Sequence, residues 1–252
     1  MKLEGKFAVV TGGGSGIGLA ITRALRTAGA YVLIVGRNPQ RLAAAQGRDT
    51  GITTFVADLA KESDRDRLAR YLAGGRPLEV LVNNAGTMTD IDLHDQRAML
   101  MMEGELAVDL SAPIHLTMAL LPTLLSRPEA AVVNVSTGLI YAPFGRTPGY
   151  ATAKAGVHAF SQTLRHQTRR EALHVLEVLP PTVDTELTGD YGGSKIKPDA
   201  VGSAVVTALI NGTTELRVGQ AKFLYAMARM APNTLFTLMN KVADNDAAKA
   251  RS

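Results

Sequence analysis

The 252 residues contain no cysteine, which excludes disulfides, thiolate-held metal and a cysteine nucleophile. No metal site of any kind is expected. Blocks of basic residues interleaved with aromatics are also missing, and the formal net charge is only +4. The densest basic group, Arg165, His166, Arg169 and Arg170, has the spacing of a solvated helix end. Nucleic acid is therefore not an expected partner. Hydrophobic residues make up 46% of the chain, yet no apolar run looks long enough to cross a bilayer. Met1 and Lys2 lead straight into an apolar segment, without the basic head, apolar middle and small-residue cleavage site of a signal peptide. These absences predict a soluble, cytoplasmic protein. Internal repeats, low-complexity stretches and linker-like composition shifts are absent too, so one domain over residues 1–252 is expected.

What the chain does have is an alternation of short β-branched runs with helix-period segments. Strands are expected at residues 7–11, 31–35, 52–57, 78–82, 131–135 and 174–179, with a weaker seventh at 216–218. Helical patterns lie between them, the longest at 96–125 and 147–170. This order predicts a doubly wound α/β domain with a seven-stranded parallel sheet and helices on both faces. Two regions read as additions. Residues 187–197, with glycines and few large apolar side chains, have the composition of a mobile substrate lid. Residues 220–242 read as a C-terminal extension of two short helices broken at Pro232, whose methionines, leucines and phenylalanines either cover a cleft or dock on a partner or membrane.

The first strand runs directly into Thr11-Gly-Gly-Gly-Ser-Gly-Ile-Gly18, which then opens a helix. Glycines let backbone N–H groups approach a pyrophosphate, and the helix N-terminus adds partial positive charge. Gly12, Gly14, Ser15, Gly16, Ile17 and Gly18 are accordingly expected to hold a dinucleotide. At the end of the second strand an NAD site usually has an acid for the ribose 2′-hydroxyl. Here stand Gly36, Arg37 and Asn38, a guanidinium with no carboxylate, which favours NADP(H) over NAD(H). Asp58 and Leu59, after the third strand, are placed at the adenine edge; Asp58 alternatively caps the next helix.

Tyr150 and Lys154 are four residues apart in a helical stretch and so share one face. A phenol with an ordinary pKa of about 10 is a poor base at neutral pH. A neighbouring ammonium favours the phenolate and suits the group to proton exchange with a substrate oxygen. Upstream, a strand ends in Ser136-Thr137. Adjacent strand residues face opposite ways, so only one of these hydroxyls can point at the tyrosine.

Together these motifs resemble the short-chain dehydrogenase/reductase family over nearly the whole chain: the glycine turn, Asn83-Asn-Ala-Gly86, the Tyr150–Lys154 pair and the segment from Pro180 to Thr185. Within it, Gly138-Leu-Ile-Tyr141, Leu164-Arg-His-Gln167, Pro180-Pro-Thr-Val-Asp-Thr-Glu186 and Arg217-Val-Gly-Gln-Ala-Lys222 are most similar to the DltE-like oxidoreductases. The resemblance implies a Rossmann-type fold and hydride transfer between NADP(H) and a carbonyl or alcohol. It implies Tyr150 as acid–base group and Lys154 as the residue that lowers its pKa and holds the nicotinamide ribose. Asn84, Ala85 and Gly86 would line the cofactor, with Pro180 on its nicotinamide side, and Val183 and Thr185 would hold the carboxamide. A homodimer or homotetramer through the 96–125 and 147–170 helices is also implied.

Two positions depart from the family pattern. The substrate-polarising serine falls on Thr137, with Ser136 as runner-up, and the threonine methyl narrows the site. Asp109 stands where the family has an asparagine whose main-chain carbonyl serves a proton relay. Its carboxylate is expected either to pair with Lys154 and weaken its effect on Tyr150, or merely to stabilise a helix kink. These departures leave open a second function, an NADP(H)-binding sensor with little catalysis. His94, Tyr141, Phe144, Arg146 and Tyr191 are candidate substrate contacts, and they suggest an apolar or aromatic carbonyl compound.

Overall fold

A computed structural model describes residues 1–250 apart from 190 and 193. The strands are β1 (Phe7–Thr11), β2 (Tyr31–Gly36), β3 (Ile52–Val56), β4 (Val80–Asn83), β5 (Ala130–Val135), β6 (Leu173–Leu179) and β7 (Glu215–Arg217). The helices are α1 (Gly16–Thr27), α2 (Pro39–Gln46), α3 (Glu62–Ala73), α4 (Ala98–Leu106), α5 (Ala112–Leu125), α6 (Pro148–Gln167), α7 (Pro198–Asn211), α8 (Ala221–Met230) and α9 (Pro232–Ala250). Among the described residues the strands form one parallel sheet in the order β3-β2-β1-β4-β5-β6-β7. The order reverses between β1 and β4, where the connections that follow the two strands lead to opposite faces of the sheet and leave a crevice. This is the Rossmann-type α/β fold that the strand–helix alternation predicts.

Burial on both faces explains why the strands read as continuous apolar runs. Ala8 and Val10 of β1 pack with Ile21 and Leu25 of α1 and Val201, Val205 and Leu209 of α7. Phe7 and Val9 turn the other way, to Leu68 and Leu72 of α3 and Leu116, Leu120 and Leu124 of α5. Each such aliphatic side chain contributes roughly 1.5–3 kcal/mol when fully buried.

The expected 96–125 helix is interrupted in a way that shapes the site. Pro113 has no N–H to give the carbonyl of Asp109, four residues earlier, and its ring crowds that carbonyl. The chain answers by widening into a π turn at Ala107–Ser111 between α4 and α5.

Taken as one helical stretch, Ala98–Leu125 has 28 residues and a mean hydropathy of 1.4 in its most apolar window. By length and composition it is apolar enough to cross a membrane, which corrects the expectation that the chain has no such segment. Isolated polar residues such as Asp109, Ser111 and Thr117 break the contiguous run but barely lower the average. Leu116, Leu120 and Leu124 are fully buried on the sheet, so the stretch packs as a core helix.

The C-terminal extension does consist of two helices parted before Pro232, but α9 runs to Ala250 rather than stopping at 242. It is tied to the loop before α6. The Gly145 N–H donates to Asn240 Oδ1 at 2.6 Å, and Asn240 Nδ2 donates to the Pro143 carbonyl at 3.1 Å. Of the segment 187–197, residues 190 and 193 lie outside the described residues. Its far end is anchored by an Asp184 N–H to Ile196 carbonyl bond of 2.9 Å.

Candidate active site

The ends of β1 and β4 are stitched together by one hydroxyl. Thr11 Oγ1 donates to the Val82 carbonyl at 3.2 Å and accepts the N–H groups of Asn84 and Ala85 at 2.9 and 3.0 Å. Asn84 Nδ2 donates to the Thr11 carbonyl at 2.9 Å. Above this seam the glycine turn closes on itself. Gly16 has φ +50°, a left-handed conformation natural to glycine. A methyl on Gly18 would lie 2.2 Å from the Gly12 carbonyl oxygen and 2.4 Å from Asn84 Nδ2. Ser15 caps α1 in extended backbone and gives no side-chain hydrogen bond to its first turn. The N–H groups there remain available to an anion, and the space that any Cβ would fill is open to a pyrophosphate.

At the end of β2, Arg37 and Asn38 are exposed. The Asn38 side chain accepts the Arg41 N–H at 2.9 Å and so caps α2. Arg41 forms a salt bridge of 2.8 Å to Glu186, which lies on the segment after Thr185. Asp58 Oδ1 accepts the Ala60 N–H at 3.2 Å, and its own N–H donates to Asp64. The N-cap of α3 is Lys61, not Asp58. Leu59 is buried in the core. Gly14, Arg37, Asn38, Asp58, Leu59 and Asp109 are outside the lining of the main cleft, as are the substrate candidates His94, Tyr141 and Arg146; the other residues expected to hold the cofactor or carry the chemistry line it.

That cleft holds about 560 Å³ and runs from the glycine turn to Tyr150 and Lys154. Both side chains project from the first two turns of α6, and Lys154 Nζ is 5.7 Å from the Tyr150 ring centre. Nζ donates to the Val135 carbonyl at 3.1 Å and lies 3.2 Å from Asp109 Oδ1. The other Asp109 oxygen accepts from the backbone and hydroxyl of Thr87 at 2.8 and 3.1 Å. Gly86 makes room for the pair, since a methyl there would lie 2.6 Å from Asp109 Oδ1. The carboxylate on the π turn thus engages the lysine and the segment after β4. Burial pushes the Asp109 carboxyl up, and the Lys154 charge pulls it back.

The two hydroxyls that follow β5 part as the alternation of an extended chain requires. Ser136 Oγ turns to the Lys154 carbonyl at 3.3 Å. Thr137 accepts the Leu139 N–H and draws the Tyr150 pKa down. Burial and the Asp109 charge act more strongly in the opposite direction, and Tyr150 is pushed well above the usual phenol range.

Sequence reasoning missed Glu105. It is 3% exposed on α4, and Oε1 accepts the Thr89 N–H at 2.6 Å. Burial pushes its carboxyl up as well. No local motif marks it; only the packing of α4 on α6 brings it to the site.

The outer cleft is apolar and aromatic. Met88, Leu139, Phe144, Leu224 and Met239 line it, the last two from α8 and α9. Phe144 stacks on Tyr191 with ring centres 6.1 Å apart, and Tyr191 donates to Asp90 at 2.6 Å. Arg146 pairs with the same Asp90 and lies over the Tyr191 ring. Of the other candidate contacts, His94 is solvent-exposed beside Asp92, and Tyr141 faces Arg217 and Tyr225 rather than the cleft.

Comparison with known proteins places the family. Residues 6–194 match the family model described as short chain dehydrogenase, and the chain belongs to the short-chain dehydrogenase/reductase family of oxidoreductases. It is 40% identical over 189 residues to the uncharacterized oxidoreductase DltE of Bacillus subtilis (strain 168), covering 74% of this chain and 75% of that one. In fold it resembles a short chain dehydrogenase from Burkholderia cenocepacia J2315 in complex with NADP. The TM-score is 0.83 at 24% identity, over 94% of this chain and 98% of that one. It also resembles a short chain dehydrogenase/reductase from Burkholderia phymatum in complex with NAD, with TM-score 0.81 at 18% identity over 91% and 93%.

Proposed function

We propose that this chain is an NADP(H)-dependent carbonyl reductase, formally reversible as an alcohol dehydrogenase. The observation that carries this reading is the single cleft in which Tyr150, Lys154 and Thr137 adjoin a glycine turn built to hold an anion. Gly12, Gly14, Ser15, Gly16, Ile17 and Gly18 would bind the pyrophosphate, with Asp58 and Leu59 at the adenine. Asn84, Ala85 and Gly86 would flank the ribose, Val183 and Thr185 the carboxamide, with Pro180 on the nicotinamide side. Bound there, the reduced nicotinamide supplies a hydride. Thr137 orients the substrate oxygen, Tyr150 gives it a proton, and Lys154 holds the tyrosine and the ribose. Related folds bind either nucleotide, NADP in one case and NAD in another. Arg37 favours the 2′-phosphate here, because a guanidinium matches phosphate and no acid stands at the end of β2 to repel it.

The apolar wall fits an apolar or aromatic carbonyl compound. Within a single domain, 187–197 would act as its lid and α8–α9 as its cover. Exposed Met99, Leu100 and Met118 on α4 and α5 support a homodimer or homotetramer through those helices. The setting would be cytoplasmic. Titration with NADPH and NADH, followed by turnover on a panel of aldehydes, ketones and quinones, tests the reading. At least tenfold tighter NADPH and consumption of NADPH with some of the panel are expected. Tighter NADH would overturn the cofactor assignment, and binding without any turnover would favour the sensor.

A further inference from the structure

Two buried carboxylates sit one helical turn apart beneath the first turn of α6. Glu105 closes α4 at 3% exposure, and Asp109 lies on the π turn with none. A methyl on Gly149, next to Tyr150, would lie 2.3 Å from Glu105 Oε2, so that carboxylate rests directly on the start of the catalytic helix. Asp109 Oδ1 is 3.2 Å from Lys154 Nζ. Among the described residues, the charged and titratable groups around Tyr150 are Lys154 from α6, Glu105 from α4 and Asp109 from the π turn. The segment after β4 presents Thr87 and Thr89, and the end of β5 presents Thr137 and the Val135 carbonyl, all uncharged. Tyr191, Asp90 and Arg146 close the outer rim, where the Glu105 charge also reaches Tyr191. Around the tyrosine, two acids therefore face one lysine.

We propose that Glu105 and Asp109 are positioning residues that together oppose Lys154 and hold the Tyr150 hydroxyl as the proton donor, so that the phenolate that alcohol oxidation needs forms only at a higher pH. The inference rests on the reading of Tyr150 as the proton donor. In reduction the carbonyl carbon takes a hydride, two electrons and a proton, from reduced nicotinamide. The carbonyl oxygen takes the Tyr150 proton, and one solvent proton replaces it. The reverse reaction needs the phenolate to accept the alcohol proton. An unopposed Lys154 would favour that phenolate. Here its charge is shared with Asp109, while Glu105 adds a second negative charge nearby. The directions agree, since both carboxylates push Tyr150 up.

Asp109→Asn and Glu105→Gln remove one charge each at nearly constant shape. The test reads the Tyr150 phenolate by ultraviolet difference absorbance of the cofactor-free protein, with the Tyr150→Phe spectrum subtracted and the fold checked by circular dichroism. It also reads pH profiles of para-nitrobenzaldehyde reduction with NADPH and para-nitrobenzyl alcohol oxidation with NADP+. At a common alkaline pH, Asp109→Asn should raise the phenolate fraction at least tenfold, about one pKa unit, and Glu105→Gln by a smaller factor. Both should move the alkaline limb of the two pH profiles to lower pH. An unchanged phenolate fraction in the folded variants overturns the proposal, and Glu105→Gln alone decides it if Asp109→Asn does not fold. Should Tyr150→Phe keep full turnover while the phenolate still shifts, it is the reading of Tyr150 as donor that fails instead.

Discussion

His158 Nδ1 lies 2.8 Å from Oε2 of Glu177, a carboxylate in β6 whose side chain has no exposed surface. The histidine is on α6, one turn beyond Lys154, so this pair fastens the catalytic helix to the sheet. The Glu177 hydrogen bond raises the His158 pKa above its ordinary value. A raised folded-state pKa means stability that is complete below the unfolded value of about 6.5 and is lost as pH rises through the folded value. The melting temperature of the wild type should therefore fall between about pH 6 and about pH 9 more than that of His158→Gln. Parallel slopes for the two proteins would remove the pair from the account.

The glycine turn predicts a contrast between two alanine variants. In Gly18→Ala the new methyl meets the backbone oxygen of Gly12, which cannot swing aside. Such overpacking costs about 1–3 kcal/mol, and NADPH affinity should drop with it. In Gly14→Ala the nearest atom, Leu42 Cδ2, is 3.5 Å away, an ordinary contact. Thermal melts should separate the two, with Gly14→Ala close to wild type.

Arg37→Glu tests the cofactor reading. It places at the end of β2 the acid that an NAD site carries. NADPH affinity should fall at least tenfold, about 1.4 kcal/mol, with NADH binding unchanged or tighter, as measured by fluorescence titration. An equal loss for both nucleotides would mean that Arg37 holds the turn rather than the phosphate.

Much of the fold was legible because strand burial on both faces leaves a plain trace. Phe7–Thr11 appears at its expected bounds, and the other strands differ by one or two residues at their ends. Val80 starts β4 later than Leu78 suggested, since Glu79 is occupied with Lys6 and the Phe7 backbone. Within the site, local spacing marked Tyr150 and Lys154, and the substitution at Asp109 was visible as a departure from a motif. Glu105 was not legible, because a glutamate in a helix is ordinarily a solvated residue and only the contact between α4 and α6 buries it. The cleft wall supplied by Leu224 and Met239 was one reading of the 220–242 stripe, although an amphipathic stripe alone does not say what it covers. His94 showed the converse: a chemically suggestive residue that the chain leaves in solvent.

The claim that matters most is that Tyr150 exchanges the proton at the substrate oxygen. Tyr150→Phe removes one hydroxyl and keeps the ring that packs beside Lys154. Carbonyl-dependent oxidation of NADPH by this variant, measured beside a direct NADPH titration, is the most direct test. Turnover should fall by about a hundredfold to ten-thousandfold, with NADPH affinity nearly unchanged. Turnover equal to that of the wild type would contradict the claim.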